Sequence, residues 1–167
     1  MSLIQGRAWV FGDNINTDLI TPGRYLYVPI PEAARHTFEA VDPEFSQKVR
    51  PGDILVAGKN FGCGSARDTA PQVLQCLGIS CILAEDFARI FFRNAIAFGL
   101  PALTVKGISG KVQPQDELIV SLDSWEIQIK RTGEMLTATP LPPKMKAVIE
   151  AGGIDGVLKN LKKDGYV

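Results

Sequence analysis

Hydrophobic residues fall into short runs and helical repeats over the first two thirds of the chain. The apolar runs at 53–58, 79–84 and 101–105 are short enough for buried strands. Between the last two, segment 85–98 repeats apolar residues with helical spacing and ends at Gly99, as an amphipathic helix does. A further helix is predicted between the first two runs, ending near Cys76. The resulting order of strand, helix, strand, helix and strand predicts a layer of parallel β-α-β units.

The last third of the chain has a different pattern. Segments 117–122 and 125–131 alternate or cluster apolar residues around a short turn and predict an antiparallel hairpin. A similar run at 7–11 predicts an opening strand, and glycine-punctuated segments within 140–163 predict two peripheral C-terminal helices. Residues 1–167 are therefore interpreted as one α/β domain with an added β layer.

Proline residues dominate the segment 21–51. Five prolines exclude long regular structure there, although a short helix at about 32–40 fits the pattern. A loop of this length is unusual inside a compact domain, and such loops tend to serve a function.

The composition excludes several classes of protein. Of 167 residues, 46% are hydrophobic and 22% are charged, and 18 basic side chains balance 18 acidic ones, so no net field attracts nucleic acid or anionic lipid. No apolar run reaches the length of a membrane span, and the N-terminus lacks a secretory signal. Cys63, Cys76 and Cys81 form no CxxC pair, and the only histidine is His36. We expect a cytoplasmic protein without its own metal site, with Cys76 and Cys81 as core residues.

The stretch NFGCGSARD, residues 60–68, carries the candidate chemistry. Its glycines allow close approach, and its backbone N–H groups precede a predicted helix that runs to about Cys76, which favours an anion. Arg67 adds a bidentate grip on a carboxylate. The loop lacks the GK[ST] ending of a phosphate-binding loop, and His36 carries no signature of a catalytic triad. Cys63 is a rival nucleophile without a nearby base.

Ser65 has two interpretations. In the first, Ser65 and Asp68 form a capping box, and the serine hydroxyl starts the helix. In the second, Thr69 and Gln72 form the box, the helix begins near residue 70, and Ser65 is free to react. A serine acts as a base only where donors stabilise its alkoxide, as those of this loop would. Such a site must be closed off from water, and a chain this small does not supply enough surface to enclose it. A partner protein is therefore expected.

Three separated motifs resemble one known family. The stretches DNINTDLITPGRYL (13–26), NFGCGSARDTAP (60–71) and EDFARIFFRNAIAFGLP (85–101) are similar, in this order, to the small subunits of 3-isopropylmalate dehydratases. Those subunits correspond to the swivelling domain of the aconitase superfamily. The similarity runs from about residue 7 to about residue 160. It implies a swivelling β/β/α three-layer fold, in agreement with the mixed layers predicted above.

The resemblance also implies an active site. Family members use the serine after the second loop glycine as the base on a substrate carbon, which is Ser65 here. The arginine two residues later grips a substrate carboxylate, and the aspartate of the N-terminal TD motif is an active-site group. The residues implied to bind substrate are Arg67, Asp18, Thr17, Gly64 and Ala66. Many members read GSSRE, so Ala66 and Asp68 depart from the pattern, and the hydroxyl of a second serine is absent.

The implied reaction is a dehydration and rehydration that moves a hydroxyl between adjacent carbons of a small dicarboxylate. It requires a large subunit that carries a [4Fe-4S] cluster, whose iron takes the hydroxyl. The chain is then expected to hold no cofactor, to be inactive alone, and to work in a heterodimer or heterotetramer.

The segment after the TD motif is implied to set the substrate specificity. It comprises Tyr25, Leu26, Tyr27 and Val28, with Arg24 before it. Homoaconitase-type relatives carry an arginine at the third position, where this chain has Tyr27, so an isopropyl group is favoured over an extra carboxylate. Arg24 is near enough in sequence to reach inward. An isopropylmalate dehydratase is the first interpretation, while a homoaconitase or dimethylmaleate hydratase subunit and a non-catalytic carboxylate-binding module stay open.

Overall fold

The computed structural model describes residues 3–166, and over those residues seven strands form one mixed sheet. The strands are β1 (Leu3–Val10), β2 (Ile54–Ala57), β3 (Cys81–Ala84), β4 (Ala102–Thr104), β5 (Glu117–Ser121), β6 (Glu126–Ile129) and β7 (Met135–Thr137). Their order across the sheet is β4-β3-β2-β1-β5-β6-β7. The opening strand β1 therefore separates a parallel part from an antiparallel part.

Short helices connect and follow these strands. They are α1 (Thr17–Ile20), α2 (Ile30–Ala34), α3 (Phe45–Lys48), α4 (Thr69–Cys76), α5 (Arg89–Ala97), α6 (Pro143–Glu150) and α7 (Ile154–Lys163). A 3-10 turn at Gly23–Tyr25 follows α1. The first three helices are only four or five residues long, so tertiary contacts hold them rather than their own hydrogen bonds.

Two hydrophobic clusters lie on the two faces of the sheet, because side chains alternate along each strand. Ile54 and Val56 belong to one cluster, and Leu55 belongs to the other. Every residue of β2 is buried, as expected for a central parallel strand covered on both sides. Val56 lies beside Val10 of β1 and Leu83 of β3. The predicted parallel β-α-β layer is confirmed.

The antiparallel part of the sheet contains the predicted hairpin, which is formed by β5 and β6. β5 also pairs along β1, from Leu3 beside Ser121 to Arg7 beside Glu117. This pairing explains why β1 begins before the predicted run at 7–11. The sequence pattern does not predict β7, which is a strand of three residues with a single buried side chain.

The predicted helix at 85–98 begins only at Arg89. Phe87 instead forms an isolated parallel bridge with Phe61, and the amide of Ala88 donates to the carbonyl of Phe61 at 2.9 Å. The residues between β3 and α5 therefore run beside the glycine-rich loop and hold it in place.

Segment 21–51 is more ordered than its prolines suggest. It contains α2 and α3 in place of the single helix predicted at 32–40. Phe38 and Phe45 are fully buried, and the ring of Phe38 stacks on that of Phe11 with centroids 4.3 Å apart. The segment is therefore anchored by aromatic burial, which its sequence periodicity does not reveal.

The two C-terminal helices pack differently. Ile149 of α6 lies in the hydrophobic core, and Met145 and Val148 pack against that core. No residue of α7 is buried. Across residues 3–166, every helix is too short or too polar to cross a bilayer.

Asp53, just before β2, is a buried carboxylate surrounded by hydrogen-bond donors. Arg7 donates from Nε at 3.1 Å and from Nη2 at 2.8 Å, Trp9 donates from Nε1 at 2.8 Å, and the amide of Arg50 donates at 2.9 Å. Burial acts to raise the pKa of Asp53, but the hydrogen bonds from Arg7, Trp9 and Arg50 outweigh it and lower the pKa below its ordinary value.

A carboxyl whose pKa is lowered by folding stabilises the protein above its unfolded pKa of about 3.9, and this contribution is lost as pH falls through the folded pKa. We therefore expect Asp53→Asn to unfold more easily at about pH 7, by roughly 2 kcal/mol, and to lose less stability on acidification than the wild type. Urea unfolding from about pH 7 to about pH 3 measures both effects. The exposed Asp155→Asn is the control. Equal acid sensitivity in the wild type and Asp53→Asn contradicts the prediction.

Candidate active site

The loop that follows β2 is held by the residues that begin α1. The amide of Thr17 donates to the carbonyl of Cys63 at 2.8 Å, and Thr17 Oγ1 donates to the carbonyl of Ser65 at 2.7 Å. Thr17 is buried, with 2% of its surface exposed. The side chain predicted to touch substrate is thus placed where it positions the backbone of Ser65.

Gly62 brings the same loop into direct contact with α5. Its φ is +81°, and a Cβ at this position would lie 2.2 Å from Cγ of Phe91. Its amide donates to the carbonyl of Ile15 at 2.7 Å. Only glycine tolerates both this φ and this short distance to Phe91. The loop therefore packs directly against the first turn of α5, and the two segments form two walls of one site.

Ser65 is exposed, and its hydroxyl makes no hydrogen bond within residues 3–166. α4 begins at Thr69 with Asp68 at its N-cap, so the capping interpretation of Ser65 is wrong. The predicted capping box of Thr69 and Gln72 is also wrong, because Thr69 Oγ1 is buried and has no partner among those residues. The serine hydroxyl is therefore free for another role.

The backbone N–H groups of residues 64–69 form a run of free donors. Over the described part of the chain, none of these six groups donates a hydrogen bond. The run ends in the first turn of α4, where the helix dipole adds positive charge. Such donors attract a carboxylate or stabilise an alkoxide. Gly64, whose φ is +92°, and Ala66 belong to this run and supply their main-chain N–H groups to it.

The structure brings together Arg67 and Asp18, two residues that the family resemblance implies bind substrate. Arg67 Nη1 donates to Asp18 Oδ1 at 2.9 Å and to the carbonyl of Thr21 at 2.8 Å. The hydrogen bond from Arg67, with another from the amide of Gly23 at 2.9 Å, lowers the pKa of Asp18. The Nη2 and Nε donors of Arg67 are unused within residues 3–166. Asp18 therefore orients an arginine that keeps two donors for a ligand.

Ser65 and Arg67 line a cavity of about 280 Å³ between the loop and α5. Arg89 and Ile90, the first residues of α5, line the same cavity, and no acidic side chain does. In the sequence, the segment around Arg89 indicates only a helix and part of a family motif. Its charge and spacing are those of any amphipathic helix, so only the fold reveals that Arg89 meets the glycine-rich loop.

The predicted specificity segment is tied to the residues that follow α2. Arg24 forms an ion pair with Glu39, and its guanidinium lies 4.9 Å from the ring centroid of Tyr25. Tyr25 stacks on His36 with centroids 3.8 Å apart, and His36 Nδ1 lies 2.8 Å from Glu39 Oε2. His36 is thus part of this network and not of a catalytic triad. Tyr27 is 97% exposed, so its side chain is open to contact with another molecule.

A second cavity, of about 760 Å³, lies beside this network. Arg24, His36 and Glu39 line it, and so does Asp18. Leu26 and Val28 are half-buried in the same segment and line neither cavity described here, and nor does Tyr27. Arg24 and Asp18 therefore line one cavity, and the role of Tyr27 as a wall of the substrate site stays a prediction.

The cysteines of this chain do not fit an iron–sulfur cluster. Cys63 is half-buried, Cys76 is exposed and Cys81 is buried, and residues 3–166 contain no metal-binding group of three or more His, Cys, Asp or Glu side chains. The interpretation of Cys76 as a core residue is wrong, because the end of α4 faces solvent. Burial raises the pKa of the Cys81 thiol, which fits a packing role in β3.

Comparison with known proteins gives consistent matches. Residues 13–107 match the sequence profile of the aconitase C-terminal domain. The isopropylmalate/citramalate isomerase small subunit of Methanocaldococcus jannaschii is 53% identical over 95% of this chain and 95% of its own length. The 3-isopropylmalate dehydratase small subunit 1 of Methanopyrus kandleri is 49% identical over 94% of this chain and 93% of its own.

The fold is also known from a solved structure. A crystal structure of 3-isopropylmalate dehydratase from M. jannaschii superposes with a TM-score of 0.90, covering 96% of this chain and 95% of that chain at 37% identity. The expected α/β fold class, a swivelling domain like the aconitase C-terminal domain, is thereby confirmed. The chain belongs to the aconitase C-terminal domain family and, within it, to the small subunits of 3-isopropylmalate dehydratases.

Proposed function

We propose that this chain is the small subunit of a hydro-lyase that interconverts 2-isopropylmalate and 3-isopropylmalate in leucine biosynthesis, with Ser65 as the base. One observation carries the assignment of the base. The Ser65 hydroxyl is exposed and unbonded within residues 3–166, and it stands in a run of free backbone donors beside Arg67. Relatives of similar length carry names for this activity.

In the proposed step, Ser65 Oγ takes the proton from a substrate carbon next to a carboxylate and returns it in the reverse direction. A serine alkoxide requires stabilisation, which the free N–H groups of residues 64–69 and the N-terminus of α4 supply. The negative charge that develops on the substrate spreads into its carboxylate. Arg67, held by Asp18, offers Nη2 and Nε to that carboxylate in a bidentate pair.

The partner is a large subunit that carries a [4Fe-4S] cluster. Its iron supplies Lewis-acid chemistry at the substrate hydroxyl when the two subunits assemble. Two features of this chain support a partner over the site: Ser65 and Ile90 of the small cavity are exposed, and so is the side chain of Tyr27 in the predicted specificity segment. Free cysteines fit an assembly that works in the reducing cytoplasm.

Isopropylmalate is the proposed substrate, and the surroundings of the site support an alkyl group. Ile90 offers an apolar surface in the cavity of Ser65, with 53% of it exposed. Arg24 is engaged by Glu39, so it is not free to pair with the additional carboxylate of a tricarboxylate. A smaller methylated diacid fits the same features, and the name of the M. jannaschii relative includes citramalate.

Reconstitution with the iron–sulfur large subunit under anaerobic conditions tests this proposal. We expect kcat/KM for isopropylmalate to exceed that for homoaconitate by at least about tenfold, since an unpaired carboxylate loses its hydration without a partner. Initial rates on isopropylmalate, dimethylmalate and homoaconitate measure the preference. A preference for homoaconitate contradicts the substrate assignment. Binding of the diacids without turnover, in a complex with a loaded cluster, would favour a carboxylate-binding module instead.

A further inference from the structure

The cavity around Ser65 contains a second arginine whose role is unassigned. Arg89 is the first residue of α5, it is exposed, and its side chain lines the cavity together with Ser65 and Arg67. Within residues 3–166 its side chain makes no hydrogen bond and no ion pair. We infer that Arg89 binds the second carboxylate of the substrate, an inference that rests on the proposed function.

The charges of the cavity favour this role. Its lining contains two arginines and no acidic side chain. A dicarboxylate carries two negative charges, and each would lose hydration on entering a site shared with a large partner. Arg67, held by Asp18, is assigned to one carboxylate, and a second cation in the same cavity would stabilise the other. Arg89 is the side chain in the cavity lining that supplies one.

The fold fixes the two arginines relative to each other. Arg67 lies on the loop just before α4, and Arg89 lies at the start of α5. The contact of Gly62 with Phe91 and the bridge between Phe61 and Phe87 join the loop to that start. These contacts therefore fix the main chains that carry the two cations relative to each other.

Ile90 places an apolar surface next to Arg89 in the same cavity. A substrate with an alkyl branch and two carboxylates presents these features together. With about 280 Å³, the cavity is near the lower end of the usual range for ligand sites, which suits a small diacid. Arg89 and Ile90 would therefore contact neighbouring groups of one molecule.

The enzyme reconstituted with saturating large subunit tests this role, with Arg93 as the matched control. Arg93 lies one turn later on α5, is exposed, and does not line the cavity. We expect Arg89→Gln to raise KM for isopropylmalate about thirtyfold, with a smaller effect on kcat, and Arg93→Gln to stay within about twofold. Arg89→Lys should recover part of the loss, since a point charge replaces the bidentate fork.

A second measurement separates carboxylate binding from other roles. Inhibition constants are compared for a malate-type diacid and its monoamide, in the complexes of wild type and Arg89→Gln. The wild type should prefer the diacid by about tenfold or more, and Arg89→Gln should lose most of that preference.

Three outcomes overturn the inference. The first is a KM in Arg89→Gln equal to that of Arg93→Gln, and the second is an unchanged preference for the diacid. The third is weaker assembly with the large subunit but a normal KM at saturation, which would make Arg89 a docking residue. If the wild-type complex does not turn over isopropylmalate, the proposed function fails separately. The role of Arg89 is then decided by calorimetry, which compares the affinity of the diacid for the wild-type complex and for the Arg89→Gln complex.

Discussion

Alanine in place of Ser65 is expected to lower kcat of the reconstituted enzyme by about a thousandfold, while KM changes only a few fold. The Ser65 hydroxyl is the unbonded side-chain group beside the free N–H donors of residues 64–69. Its removal therefore leaves no base for the carbon-bound proton. Arg67 and the backbone donors stay in place, which preserves binding. Initial rates at saturating substrate and large subunit measure the effect.

The exchange of the substrate proton with solvent gives an independent readout. In deuterated water, the wild type should incorporate deuterium at the reacting carbon, and Ser65→Ala should not. Ala66→Ser is the matched control, because it changes the next residue of the same loop by one hydroxyl and should keep kcat within about threefold. If Ser65→Ala keeps its rate within a few fold, the base is another group.

Alanine in place of Gly62 is expected to reduce the free energy of unfolding by about 3–5 kcal/mol. Its Cβ would lie 2.2 Å from Cγ and 2.3 Å from Cβ of Phe91, atoms near the helix backbone that have little freedom to move. The φ of +81° adds the cost of a left-handed conformation for a residue with a Cβ. Chemical denaturation of the isolated chain measures the change.

Gly107 separates the two causes of this loss. Its φ is +83°, almost that of Gly62, and no heavy atom lies within 4 Å of a Cβ built there. Gly107→Ala should therefore cost about 1–2 kcal/mol, from backbone conformation alone. The difference between the two variants reports the contact of the loop with α5. Equal losses in both variants would mean that the loop moves away from Phe91 at little cost.

The sequence predicts the parallel layer well, because its strands are fully buried and appear as apolar runs. It also locates the loop of Ser65, since the glycines there are needed for positive φ and close approach. The short helices of segment 21–51 are not predicted, because the burial of Phe38 and Phe45 places them and no periodic pattern does. β7 is missed because a strand of three residues carries too little pattern.

Two parts of the candidate site depend on contacts that no local pattern encodes. Arg89 follows Ser65 after helix α4 and strand β3, and the residues between them do not indicate that α5 starts beside the loop. Arg24 and Glu39 pair across two turns and a short helix, so the direction of the Arg24 side chain follows from the fold alone. The resemblance to a family implied roles for Ser65, Arg67, the TD motif and Arg24, but it implied neither a role for Arg89 nor the pairing of Arg24 with Glu39.

The position of β1 has a consequence for synthesis on the ribosome. Its parallel neighbour β2 is complete by Ala57, but its antiparallel neighbour β5 ends at Ser121. Until that residue has left the exit tunnel, β1 exposes an unpaired edge, although the parallel strands β2, β3 and β4 are already available. Because this pairing spans most of the chain, we infer that the sheet closes late and slowly. A nascent chain that pauses before β5 is the form most exposed to aggregation and to capture by chaperones.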